Sequence, residues 1–213
     1  MKKVLSLLLL LAMLGASALT MTGCSAPKVE EIYDRVVYLV EGSHAINTVF
    51  YGVGMPVYRA DSEYANINYI YFEFPQSKNY ELVTEHSRFA NSDEVMAAAR
   101  EVYSEGFLND VLALSAFTGY VGDTGAGQTI VVRARYWEQA NKLYHSTDPD
   151  NVLYTAMRVY DYSTMEVHAL ARANACTVTM ESWLEDSPDK VETVEIYLIK
   201  QDGQWFLDSF TGA

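Results

Sequence analysis

The chain is poor in three things. Of its 213 residues only two are cysteine and five are proline, and 15 lysines and arginines face 28 aspartates and glutamates. The scarcity of cysteine excludes a disulfide-stapled scaffold, so stability must come from a buried core. The deficit of positive charge argues against a nucleic-acid partner and against electrostatic footing on anionic lipid. A long apolar run is missing too. The only candidate, Val4 to Leu14, is interrupted by Ser6 and is too short to span a bilayer well.

What that run does resemble is the middle of an export signal. Met1-Lys2-Lys3 gives a positive start, and Gly15, Ala16, Ser17 and Ala18 follow the apolar stretch. Met21-Thr22-Gly23-Cys24 then sets small residues directly before a cysteine. This resembles the lipobox of bacterial lipoproteins, with Met21 where that family usually has Leu. The resemblance implies acylation of Cys24 as the first mature residue, a lipid hold on the membrane and an extracytoplasmic location. Residues 1–23 are then a signal peptide, 24–29 a lipidated tether and 30–213 a single domain. The signal holds Lys2 and Lys3 and no carboxylate, so from Cys24 onward 13 basic and 28 acidic side chains leave a formal charge of −15.

Helical spacing opens the domain. Ile32, Val36, Leu39 and Val40 mark one face, with Glu30 and Glu31 in the first turn, and Gly42-Ser43 is expected to end or kink the helix. Ala45 to Val53 is read as a continuation of it, until Gly52, Gly54 and Pro56 close the region. Ile67 to Phe74 reads as a strand ending at Pro75, and Tyr80 to Phe89 as a short extended segment. Ser92 is the expected cap of a helix carrying Val95, Met96, Ala99, Val102 and Tyr103. Ser104-Glu105-Gly106 interrupts before a more apolar helix from Phe107 to Phe117. Gly119 to Gly127 is read as a loop. Thr129 to Trp137 reads as a strand with Arg133 and Arg135 on one face, continued briefly by Asn141 to His145. Val152–Tyr160, Met165–Arg172, Ala175–Trp183, Val191–Lys200 and Gln204–Phe210 follow as strand-like runs. Asp202-Gly203 is the strongest hairpin signal. Helices first and an antiparallel meander last predict an α+β domain, its helices on one face of a curved sheet.

No catalytic constellation stands out. Gly122 to Thr129 nearly spells a phosphate loop, but Gln128 replaces its lysine and a strand follows where a helix should open. None of His44, His86, His145 and His168 makes a helical metal pair. Glu166 and His168 share a strand face, the pattern of a solvated ion pair more than of a ligand set. Cys176 falls in the apolar phase with Val178 and Met180, so a buried thiol is expected. Glu185, Asp186 and Asp189 crowd one turn without the spacing of a calcium loop. No metal or other cofactor is therefore expected. The tyrosine-rich stretch from Tyr51 to Tyr80 is the most suggestive feature. Within it Tyr58, Asp61, Glu63, Tyr64 and Asn66 form a candidate partner-binding surface, while Tyr69 and Tyr71 are expected in the core.

The ending from Val194 to Phe210, with Lys200-Gln201-Asp202-Gly203-Gln204-Trp205 at its turn, resembles the last hairpin of cystatin-like and nuclear-transport-factor-like domains. A wider likeness runs from Tyr80 to Phe210. It includes Val102-Tyr103-Ser104-Glu105-Gly106-Phe107, Ala134-Arg135-Tyr136-Trp137-Glu138-Gln139 and Lys142-Leu143-Tyr144. This stretch is similar to secreted and lipid-anchored DL-endopeptidase inhibitors of the IseA type. The likeness implies a cystatin-like fold and binding to cell-wall peptidases, and it carries over no inhibitory residue. A small-ligand carrier with a pocket between sheet and helices, or an enzyme of the same fold, are the alternatives.

Overall fold

A computed structural model of the protein describes residues 26–58, 69–71, 79–118, 120–123, 129–132, 134–146, 152 and 155–212. Helix α1 runs over Val29–Phe50. The Glu31 carboxylate accepts from the Lys28 backbone N–H at 3.3 Å, and Glu30 and Glu31 place negative charge at the positive end of the helix. Ile32, Val36, Leu39 and Val40 are all buried, as their spacing predicts. The helix does not break at Gly42-Ser43. A Cβ on Gly42 would stand 3.0 Å from Val102 Cγ2, so the glycine serves close packing rather than termination. Ser43 satisfies its hydroxyl on the Val40 carbonyl at 2.6 Å within the helix.

Helix α2 spans Ser92–Arg100. Its cap is Asn91 rather than Ser92, one residue earlier than expected, because the Asn91 side chain accepts from Glu94 N–H at 2.9 Å. Ser104 caps the next turn, α3 (Glu105–Phe107), accepting from Phe107 N–H at 3.1 Å. The chain then winds as π-helix through Leu108–Leu112 and Leu114–Thr118, with Leu108, Leu112 and Ala116 turned inward.

The strands make two four-stranded antiparallel sheets and a ribbon. In the first sheet β1 (Tyr69–Tyr71), β2 (Asn79–Leu82), β6 (Lys142–Ser146) and β5 (Tyr136–Gln139) lie in the order β1-β2-β6-β5. Strands β3 (Tyr120–Asp123) and β4 (Thr129–Val132) pair with each other, so part of the expected glycine-rich loop is strand. The second sheet is a meander of β7 (Arg158–Ala169), β8 (Ala175–Leu184), β9 (Ser187–Gln201) and β10 (Gln204–Leu207). Asp202 and Gly203 turn β9 into β10 with φ of 49° and 85°.

The sequence reading is corrected in three places. Thr129 to Trp137 is two strands in different sheets, and Tyr136 to Ser146 is a hairpin turned on Ala140 and Asn141, both at positive φ. The expected runs Val152–Tyr160 and Met165–Arg172 contribute to a single strand, β7. It bridges them through an irregularity between Asp161 and Glu166. There the Asp161 carboxylate accepts from Ser163 N–H at 3.0 Å, and Thr164 Oγ1 accepts from Glu181 N–H at 2.8 Å. Among the described residues, the meander that packs on α1 runs from Arg158 to Leu207. The outcome is an α+β fold, with Cys176, Val178, Met180, Ile196, Leu198 and Leu207 packed under Ile32, Val36, Leu39 and Val40 in one core.

Candidate functional site

Of the expected partner surface, Asp61, Glu63, Tyr64 and Asn66 lie outside the described residues, as does Cys24. Tyr58 is described and half-buried. Its N–H donates to Leu82 O at 3.0 Å, extending a bridge between Val57 and Val83. The side chains of Tyr69 and Tyr71 also lie outside the description. Glu166 and His168 do meet, with Oε2 3.7 Å from Nε2, and His168 Nε2 lies 3.0 Å from Thr179 Oγ1. Both are exposed on the outer face of β7, so this is the solvated pair that their spacing suggested. Cys176 is fully buried, and burial pushes its thiol up to about 11, far from a nucleophile's range. Among the described residues no group of three metal-binding side chains converges, Glu185, Asp186 and Asp189 included.

One buried polar cluster among the described residues is one that sequence reasoning missed. Arg135, Tyr136 and His145 are 3%, 1% and 4% exposed at the point where the chain leaves α1. Each reaches a main-chain group of that exit. Arg135 Nη2 donates to Gly52 O, Tyr136 OH donates to Val49 O at 2.9 Å and accepts from Met55 N–H at 3.1 Å, and His145 Nδ1 lies 3.1 Å from Met55 O. Carbonyls at a helix C-terminus lack intrahelical partners and sit at the negative end of its dipole. The Tyr136 phenol meets such a carbonyl at Val49, and the Arg135 guanidinium meets the Gly52 carbonyl just past the helix end.

The tautomer of His145 follows from its neighbours. Arg135 Nε–H donates to His145 Nε2 at 3.2 Å, so that nitrogen is the acceptor and Nδ1 carries the proton toward Met55 O. Burial and the adjacent guanidinium hold the imidazole well below its ordinary value, at about 4. The ring stacks on Tyr136 with centroids 4.8 Å apart. Gly54, at φ 81°, lies flat against it, leaving no room for a Cβ. Burial also raises the Tyr136 phenol to about 12, so it stays a donor.

The sequence carried little warning of this site. Arginine in a strand is ordinarily solvent-facing, and the carbonyls that Arg135 and Tyr136 meet belong to residues 83 and 87 positions earlier. Closed to solvent, the cluster is suited to fixing a chain path rather than to acting on a substrate. No protein-family model, no curated protein and no solved structure matches the chain.

Proposed function

We propose that the protein is a lipid-tethered, non-catalytic binding module on the extracytoplasmic face of a bacterial membrane, and that its partner is a cell-wall DL-endopeptidase which it modulates. The observation that carries this reading is Cys24 after small residues and an apolar segment with a basic start. The structure supports the geometry such a role needs. Helix α1 begins at Val29, five residues after Cys24, and its far end delivers the chain to Tyr58 and the tyrosine-rich stretch. At 1.5 Å per residue the 22-residue helix is roughly 33 Å long. A tether at one end and a partner surface at the other would present that surface to the wall. The ionisable groups sequence analysis singled out for chemistry are either solvated, as with His168 and Glu166, or sealed, as with Cys176.

Two measurements test this reading. Replacing Cys24→Ala should move the expressed protein from the membrane fraction to the soluble one. The purified domain, incubated with a panel of NlpC/P60-type endopeptidases, should bind at least one and lower its turnover of peptidoglycan. Neither complex nor inhibition anywhere in the panel would remove the proposed partner.

A further inference from the structure

We propose that Arg135 and His145 form an acid-sensitive latch, whose release frees the chain segment from Gly52 to Tyr58 as it leaves α1. The latch holds only with a neutral imidazole. Both ring nitrogens are committed, Nε2 accepting from Arg135 at 3.2 Å and Nδ1 facing Met55 O at 3.1 Å. A second proton can go only onto Nε2, where it would point N–H at N–H and set one cation against another inside the protein. Gly54 comes so close to the ring that a Cβ would not fit, and Tyr136 stacks on it at 4.8 Å, so the imidazole is crowded by the segment and by β5 at once. Opening also surrenders the Gly52 carbonyl held by the same guanidinium.

The charged and titratable groups around His145 come from three sides. From β5 there is Tyr136, directly opposite His145 in register, and from the residue just before that strand Arg135. From β2, Glu81 stands opposite His145 and Tyr80 beside it, with Tyr80 OH donating to Ala134 O at 2.6 Å. From the α1 exit only Tyr51 titrates between Val49 and Tyr58, besides Tyr58 itself. Burial and Arg135 oppose the imidazolium, and the Met55 carbonyl favours it. The direction of the effect is fixed by the closed state. Its histidine holds a proton less readily, at about 4, than a free histidine at 6.5, so an opened segment binds more protons between those values. The closed state is fully favoured above pH 6.5 and loses ground as pH falls toward 4. Because these contacts alone define the latch, it stands whether or not the proposed peptidase is the partner.

Amide hydrogen exchange on the full domain tests it. Gly54 N–H is bonded to Thr48 O, Met55 N–H to Tyr136 OH and Tyr58 N–H to Leu82 O, so all three report opening. Corrected for intrinsic rates, their opening constant should rise about tenfold for each pH unit below 6.5, down to about 4. Amides of the β8–β9 ladder should not follow. In His145→Gln the side-chain amide can still accept from Arg135 and donate to Met55 O but does not titrate, and the rise should vanish. A second readout needs no variant: the ring carbon shifts of His145 in the wild-type protein should titrate at the lowered value of the closed state, about 4, where the rise in opening levels off. No acid-induced opening, the same opening in His145→Gln, or a wild-type ring that titrates at the free value of 6.5 while the segment stays closed would each overturn the latch.

Discussion

At the scale of single residues, Gly54 is the position where backbone and packing make the same demand. Its φ of 81° is one that a residue with a Cβ adopts only under strain, and the space a Cβ would need belongs to the His145 ring. Gly54→Ala should therefore destabilise the protein by about 2–4 kcal/mol, adding the cost of left-handed backbone to that of overpacking a rigid site. Urea unfolding measures this. Pairing it with His145→Ala should recover the overpacking part and leave the backbone part, a coupling that a double-mutant cycle isolates. Cys176 makes the opposite case, a reactive type in an inert place. With no exposed surface and a thiol raised to about 11, it should react with a disulfide reagent only as fast as the protein unfolds. Full labelling of native protein within the mixing time would contradict its burial.

At the scale of elements, the meander sheet must protect its edge, and β10 shows how. As the outermost strand it would present unpaired main-chain groups to any other strand. Arg35 of α1 donates to Trp205 O at 2.8 Å and to Glu101 O at 3.2 Å, its guanidinium lying over the rings of Tyr38 and Phe206. Further along, Leu207 N–H donates to Val102 O at 2.9 Å, and Ser104 N–H to Leu207 O at 2.8 Å. Arg35→Met should cost about 1–3 kcal/mol, and Arg35→Lys should restore only part of it, since an ammonium cannot span both carbonyls and stack. Urea midpoints compare the three proteins. What was legible in the sequence divides along the same line as these contacts. The inward face of α1, the alternation of Cys176, Val178 and Met180, and the Asp202-Gly203 turn are written in local spacing, and the structure keeps them. The passage of α1 through Gly42 was not, because it depends on Val102 from a distant segment. The Ala140-Asn141 turn carries no glycine to announce its positive φ. The burial of Arg135 and His145 is set by carbonyls that only folding brings near, so no window of sequence contains it.

At the scale of the whole molecule, α1 belongs to both sheets at once, and the C-terminal segment is what fastens it between them. Its last turn is held by Tyr136 of the first sheet, and the chain just past it by Arg135. Its middle is held by Thr211, which sits 3% exposed beyond the second. Asn47 Nδ2 donates to Thr211 Oγ1 at 2.8 Å, Thr211 and Ser43 share a hydrogen bond of 2.6 Å, and Ser43 donates to Val40 O. Since Ser43 spends its proton on Val40, the hydroxyl of Thr211 must be the donor to Ser43, and the chain of bonds runs one way. Tyr103 OH donates to Asn47 Oδ1, and Tyr160 OH to the Thr211 carbonyl, so α1, the segment after α2, β7 and the tail meet at one buried threonine. Ending the chain after Asp208 would leave Asn47, Tyr160 and Ser43 without those partners. At about 1–3 kcal/mol for each stranded polar group, tempered by water entering the slot, the loss should be about 3–5 kcal/mol. For a domain of this size that lowers the melting temperature by roughly 10 °C. Because α1 spans the junction, both sheets should melt in one calorimetric transition in the shortened protein as in the full one. Hydrogen exchange resolves the alternative: if amides of β5 and β6 lose protection while those of β8 and β9 keep it, the helix does not couple the sheets and the tail is only a local fastening.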